Sequence, residues 1–349
     1  MNNEDRSAAR LSRRRFVQTV SASVVAPHVV PCTVFGATSP SNRVNLALIG
    51  VGNQSRADLP AVLRFDDVQV VAVCDVNRGS YGYARPEHFL GREPARDKVN
   101  QHYAEKKRNG SYKGCEMYAD FRDVLARKDV DAVMVILPDH WHALVTVMAC
   151  RAGKDVYCEK PLTHSVSEAR ELRELSRTAN VVTQMGNQGS ASESLRRCTE
   201  IIRAGALGAI REIYHWGIGV RANEGSAEGE DPIPESFDWD LWVGPSSMRP
   251  FKKDVYHPGR WRSWFDFGNG GLADFCCHAI NLPMRALDLS YPEKIVINMQ
   301  EGRQIVDKAA VEYHFPARNE LPPVVLHWQG SGKPSADVLK PLSEVYGDQ

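Results

Sequence analysis

The feature that most restricts how this chain can fold is a series of short, almost unbroken apolar runs separated by stretches of helical character. Residues 44–49 (Val-Asn-Leu-Ala-Leu-Ile) and 68–74 (Val-Gln-Val-Val-Ala-Val-Cys) are the first two, and 132–137, 155–158 and 181–185 follow. A strand with one wet face alternates apolar and polar residues, whereas a strand covered on both faces does not. Runs of this kind belong to a parallel sheet, and parallel neighbours need a crossover of a dozen or more residues, normally a helix packed on the sheet. The intervening segments supply it. They are 55–63, a helix capped by Asp120, 141–152 closed by Gly153, and 165–179 with Glu168, Arg170, Glu171 and Arg173 facing out. The pattern predicts an α/β chain built on a doubly wound parallel sheet.

Beyond residue 186 the texture changes. After a helix near 192–204 and a strand candidate at 210–216, the candidates at 294–299, 311–315 and 324–328 have no helices between them, which predicts a second, open and mostly antiparallel sheet. The expected organisation is a leader at 1–37, a dinucleotide-binding domain at 38–185 and a substrate and oligomerisation domain at 186–349. Gly, Arg and Lys are frequent in 79–115, which is longer than an ordinary connection and reads as a surface insertion. The chain stops at Gln349 soon after a strand candidate, and the expectation is a truncated second sheet with either an exposed edge or an oligomer partner as the consequence.

Composition narrows the class of partner. The chain has 349 residues, 43% hydrophobic and 25% charged, enough for two soluble domains. The first 37 residues hold five of the 43 basic residues and two of the 43 acidic ones, which leaves the remainder at −3. A mildly acidic body argues against a nucleic-acid partner. The eight cysteines show no C-x-x-C spacing and several lie in apolar runs, so neither a disulfide framework nor a structural zinc is expected. At the amino terminus, Ser12-Arg13-Arg14-Arg15-Phe16-Val17-Gln18 precedes a weakly apolar stretch at 19–35. This resembles a twin-arginine export signal. It implies the twin-arginine (Tat) export machinery as a partner and a periplasmic location, with membrane anchoring if the segment is not cleaved.

Two clusters carry the chemistry. Gly50-x-Gly52, with Asn53 and Gln54, stands between the first strand and its helix, where bare backbone lets a pyrophosphate approach the helix amino terminus. Asp75, at the tip of the next strand, is placed to take the ribose hydroxyls of NAD, while Arg78 is placed to take the 2′-phosphate of NADP. Lys160 follows the run at 155–158 in Cys158-Glu159-Lys160-Pro161, and the proline fixes the backbone that carries the lysine.

With Pro138-Asp139-His140-Trp141-His142 between them, these motifs resemble the Gfo/Idh/MocA oxidoreductase family, and Glu159-Lys160-Pro161 is the most specific of the marks. The resemblance implies a Rossmann domain, an open-sheet domain that holds substrate, a nicotinamide cofactor and a sugar-like or cyclitol substrate with a CH–OH group. It extends to Asp274-Phe275-Cys276-Cys277-His278, whose i, i+4 spacing puts Asp274 and His278 on one helical face. Carried over from the family, His278 removes the hydroxyl proton, Asp274 orients the hydroxyl, and Lys160 stabilises the developing charge on the same oxygen. Pro138, Asp139, His142 and Glu159 are expected on the cofactor, although Asp139 stands where the family usually has Asn. The segment Arg260-Trp261-Arg262-Ser263-Trp264 offers stacking faces and guanidinium donors that a sugar could use, but aromatic-rich segments of this kind are more often packing, and it is read as packing. Two alternatives share this fold: a glycosidase or lyase working by transient oxidation and elimination, and a ligand sensor without turnover. In the glycosidase branch the Glu-Lys-Pro element is typically replaced, so its presence favours simple hydride transfer.

Overall fold

The computed structural model describes residues 42–107, 109–217, 227–298, 310–330, 338–340 and 344. The expected export segment at 1–37, the last residue of the candidate at 294–299, and the chain end at 345–349 lie outside them. Six parallel strands form the first sheet: β1 (Val44–Ile49), β2 (Val68–Cys74), β3 (Glu116–Tyr118), β4 (Ala132–Val135), β5 (Asp155–Glu159) and β6 (Thr183–Gly186). Their order is β3-β2-β1-β4-β5-β6. The chain winds outward in one direction from β1 and in the other from β4, so the crevice beyond the carboxyl ends of these two strands is the topological switch point where such sheets take ligands.

Both faces are covered, as the unbroken apolar runs require. Ala47, Ile49, Val133 and Val135 pack into one core with α3 (Phe121–Leu125) and α4 (Asp139–Arg151). Leu46, Leu48, Val70 and Val73 pack into another with α1 (Ser55–Val62) and α2 (Arg92–Glu105). Asp120 caps α3 by accepting the backbone N–H of Arg122. Ser165 and Glu168 form a reciprocal capping box at the start of α5 (Val166–Thr178), so Glu168 serves the backbone rather than merely facing out.

Residues 79–115 are not a surface insertion. Ala95, Val99 and Tyr103 of α2 are buried against β2 at helical spacing, an amphipathic signal that the abundance of Arg and Lys hides. The preceding loop is drawn inward by Asn77, which is fully buried. Its side-chain amide donates to Ser80, Tyr83 and the Leu90 carbonyl.

The second sheet contains β7 (Glu212–His215), β8 (Lys294–Asn298), β9 (Ala310–Phe315) and β10 (Val324–Gln329), in the order β7-β10-β9-β8. Two of its three pairings are antiparallel, and β10 runs parallel to β7. Val311, Val324, Leu326 and Trp328 fill one face together with Ile202 of α6 (Glu193–Arg203) and Cys276 of α8 (Gly270–Ala279). The short helices α7 (Trp239–Val243) and α9 (Asn281–Ala286) complete the described elements named here. An aromatic cluster including Trp239, Trp242, Tyr256, Trp261 and Phe267 packs beside the crevice.

Candidate active site

A cavity of about 130 Å³ occupies the crevice at the switch point. The carboxyl end of β1 supplies Gly50, Gly52, Asn53 and Gln54; β2 supplies Asp75; β4 supplies Pro138 and Asp139; β5 supplies Glu159 and Lys160. Gly50 has φ +93°, and a Cβ there would stand 2.1 Å from the Ile136 carbonyl oxygen, so no other residue fits. The Ser55 hydroxyl donates to the Gly52 carbonyl (2.8 Å) and closes the turn. Bare backbone thus meets the mouth of α1, where the Arg56 and Ala57 N–H groups close on the Asn53 and Gln54 carbonyls and the positive end of the helix faces the cavity. This cradle fits the pyrophosphate of a dinucleotide.

Asp75 braces the same turn. Its Oδ2 accepts from Val51 N–H (2.8 Å) and its Oδ1 from Asn77 N–H (2.9 Å), which leaves lone pairs on both oxygens for ribose hydroxyls. Burial raises its pKa, against the pull of these two N–H groups and of Arg92. Asn53 Oδ1 accepts from Ala84 N–H, and Gln54 donates to Asp58. Arg78 does not reach the cavity wall. It is exposed, and its guanidinium pairs with Glu93 at 3.2 Å.

On the same cavity wall, Lys160 Nζ donates to Asp274 Oδ1 (2.5 Å) and to the Asp274 carbonyl (2.8 Å), and Arg262 Nε donates to Asp274 Oδ2 (2.7 Å). Both Asp274 oxygens are therefore held by cations. Burial works to raise the pKa of this carboxyl, but Arg262 and Lys160 outweigh it and hold it below the ordinary carboxylate range. Arg262 belongs to a 3₁₀ turn, Arg260–Ser263, so the segment read as packing places a guanidinium in the site. Glu159, 3% exposed, accepts from Gln188 (3.1 Å) and Tyr157 (3.4 Å), and burial pushes its pKa up to about 7.

Three expected positions differ from the sequence reading or qualify it. His142 is buried away from the cavity wall. Leu137 N–H donates to its Nε2 (3.2 Å), so the ring proton is on Nδ1 and is given to the Pro161 carbonyl (2.6 Å). Burial lowers its pKa to about 4, and the neutral ring ties the end of β4 to the lysine-bearing turn. His278 lies one turn beyond Asp274 on α8, half-buried and outside the cavity wall; burial and then Lys160 lower its pKa. Asp139 does line the cavity, but as a buried carboxyl whose pKa burial pushes up to about 7.

Tyr83 and His257, also on the wall, were not legible in the sequence. Tyr83 arrives on the loop gathered by Asn77, and His257 arrives from the loop after α7. The Tyr83 hydroxyl and His257 Nε2 are 3.3 Å apart. Burial lowers the His257 pKa to about 3, so the ring is neutral and shares one hydrogen bond with the Tyr83 hydroxyl, whose oxygen also accepts from the Asn77 amide. Among the described residues no group of three or more His, Cys, Asp or Glu side chains is arranged to hold a metal ion.

Comparison with known proteins agrees with this architecture. Residues 44–187 match the Gfo/Idh/MocA oxidoreductase model for an NAD-binding Rossmann fold, and residues 214–313 match the same family's C-terminal alpha/beta domain. A glycosyl hydrolase family 109 protein of Shewanella sp. (strain MR-4) is 28% identical over 257 residues, 72% of this chain and 47% of that protein. The chain thus spans about half the length of the curated relatives it matches. In fold it is similar to the WlbA dehydrogenase from Bordetella pertussis, solved with NADH and UDP-GlcNAcA (TM-score 0.55, 15% identity, 84% of this chain and 74% of that one). It is similar too to KijD10, a 3-ketoreductase from Actinomadura kijaniata solved with NADP and TDP-benzene (TM-score 0.53, 21% identity, 83% and 71%). Both domain models fall in sequence order on the two sheets, and the switch-point crevice carries the glycine cradle between them: the chain belongs to the Gfo/Idh/MocA oxidoreductase family.

Proposed function

We propose that the protein is an exported NAD(P)-dependent oxidoreductase acting on a hydroxyl carbon of a sugar, sugar derivative or cyclitol. The observation that carries this reading is the convergence of Lys160, Asp274 and Arg262 on the wall of the same cavity that the Gly50–Gly52 cradle borders. When bound, the nicotinamide supplies the two-electron chemistry at the substrate carbon. The chain's own work is to hold and polarise one oxygen. Lys160, fixed by two hydrogen bonds to Asp274, presents its remaining N–H to that oxygen and stabilises the charge that develops as the C–H bond breaks. Asp274, already satisfied by both cations, orients them as much as it orients the substrate. Asp75 selects NAD by accepting ribose hydroxyls, and with Arg78 paired to Glu93 no wall residue on that side favours a 2′-phosphate.

The test begins with the purified protein. Denaturation should release close to stoichiometric nicotinamide dinucleotide, and a sugar and cyclitol panel should contain a compound that changes its absorbance. Wild type should bind NAD more tightly than NADP, and Asp75→Ala should lose that preference. Tighter NADP binding by wild type would refute the assignment of Asp75. A second reading draws on the name carried by the Shewanella relatives. Release of the aglycone from an aryl glycoside with no net cofactor reduction would establish transient oxidation and elimination instead. Export by the twin-arginine route is supported by the arginine pair before an apolar stretch. Because that route carries folded proteins, the cofactor would be loaded before export and regenerated in place. Changing Arg13 and Arg14 together to Lys should keep the protein in the cytoplasm, and unchanged export would refute the route.

A further inference from the structure

The site contains more ionisable groups than orienting an oxygen requires, and they are unevenly occupied. Asp274 has both oxygens committed to cations, and Glu159 has both committed to Gln188 and Tyr157. His257 is engaged by Tyr83, and His278 stands off the wall. Asp139 differs from all of these. It is 2% exposed, Oδ2 accepts a single bond from Asn269 N–H (3.1 Å), and Oδ1 is enclosed with no hydrogen-bond partner. A buried carboxyl oxygen left without a partner is costly, and it is cheapest as a protonated oxygen that can give its hydrogen to an arriving ligand.

We propose that Asp139, rather than His278, is the acid and base of this site: its carboxylate takes the substrate's hydroxyl proton as the carbon gives up its hydride, and its carboxyl returns that proton in the reverse direction. The inference rests on the hydride-transfer reading above. In oxidation the O–H bond breaks and an O–H bond forms on Asp139, while the hydride, with the electron pair of the C–H bond, passes to the nicotinamide; reduction reverses both transfers. Position supports the role, since Asp139 is the first residue of α4 at the tip of β4, and the neighbouring strand β5 delivers Lys160 at its own tip. One oxygen held by Lys160 can therefore be served by a carboxyl from the adjacent strand end.

The charged groups acting on Asp139 come from three elements: Asp274 of α8, Arg262 of the 3₁₀ turn, and Lys160 at the end of β5. On its own helix, His140 and His142 are both neutral, with pKa values lowered by burial to about 4. Burial and the Asp274 charge raise the Asp139 pKa, the Asn269 N–H and the two cations moderate the rise, and the value reaches about 7. Proton affinity near neutrality lets one group both take and return a proton.

The experiment has two arms. In the first, which needs no substrate, unfolding free energy is measured against pH for wild type and Asp139→Asn. A carboxyl whose folded pKa is raised contributes stability that is full below its unfolded value and is lost as pH rises through the folded value near 7, so wild type should weaken relative to the variant between about pH 4 and pH 7. Parallel curves would show that Asp139 is already ionised in acid, which overturns the proposal whatever the reaction is. In the second arm, on a substrate found by the panel, wild-type oxidation should rise with pH through the Asp139 titration and reduction should fall. Asp139→Asn should lose this limb and about 100-fold or more in turnover, with the dissociation constant for NAD nearly unchanged. His278→Asn should keep the limb. If His278→Asn loses it and Asp139→Asn keeps it, the proton belongs to His278 and the proposal fails while hydride transfer stands.

Discussion

Lys160→Met should abolish turnover on any substrate that wild type oxidises, while dinucleotide binding and the melting temperature change little. Methionine replaces the aliphatic stem but not the ammonium, which donates to Asp274 and which the proposed mechanism sets on the substrate oxygen. Asp274 keeps Arg262 as a partner at 2.7 Å, so no buried carboxylate is left unpaired. Removing one preorganised donor to a developing oxyanion costs about 3 kcal/mol or more, a loss of roughly 100- to 1,000-fold in kcat. Single-turnover kinetics on cofactor-loaded protein would measure this directly. Turnover within tenfold of wild type would remove Lys160 from the chemistry.

Asp274→Ala should act on fold and function together. It removes the common acceptor of two cations, one of them on a side chain only 11% exposed. Breaking a buried pair on one side typically costs about 3–5 kcal/mol, because the surviving charge has lost its water as well as its partner. Asp274 carries a folded pKa below its ordinary value, so the stability it contributes is present above about pH 4 and is lost as pH falls through the folded value. Wild type and variant should therefore converge in stability in strong acid and diverge above pH 4. Denaturant titrations at pH 3 and pH 7 would show it. An equal gap at both pH values would mean that the ion pair is not what Asp274 contributes. Asp274→Asn, which keeps one acceptor oxygen, should lose less stability than Asp274→Ala yet lose comparable activity.

The first sheet was readable because its signal is local. Unbroken runs such as 68–74 require cover on both faces, and Gly50 must lack a side chain because the Ile136 carbonyl fills the space. One helix start was readable for the same reason: Asp120 accepts a backbone N–H two residues away, whereas the capping box of Ser165 and Glu168 was passed over because Glu168 was read as facing out. The reading failed where composition was allowed to outvote spacing. Residues 79–115 looked like solvated insertion because of their charge, yet Ala95, Val99 and Tyr103 recur four residues apart on one face of α2 and are buried.

Within the crevice the division is sharper. Motif positions identified Gly50, Gly52, Asp75, Asp139, Glu159, Lys160 and Asp274 as candidates, and all of them border one cavity. They did not show what each side chain touches. Arg78 follows Asp75 closely in sequence but turns to Glu93, and His142 shares a helix with Asp139 but turns to Pro161. Tyr83 and His257 came in unannounced, and Arg262 came from a segment read as packing. The amino-acid sequence by itself determined the parallel sheet, the glycine turn and the strand ends on which chemistry sits, since each follows from periodicity or from backbone space within a few residues. Tertiary structure alone decided the partners: Lys160 meets Asp274 across 114 positions, and Tyr83 meets His257 across 174. Contacts over such spans depend on how two sheets and the aromatic cluster pack against one another. The same packing sets the burial that raises Asp139 and the charges that hold Asp274 down, so the acid–base character of the site exists only in the folded chain.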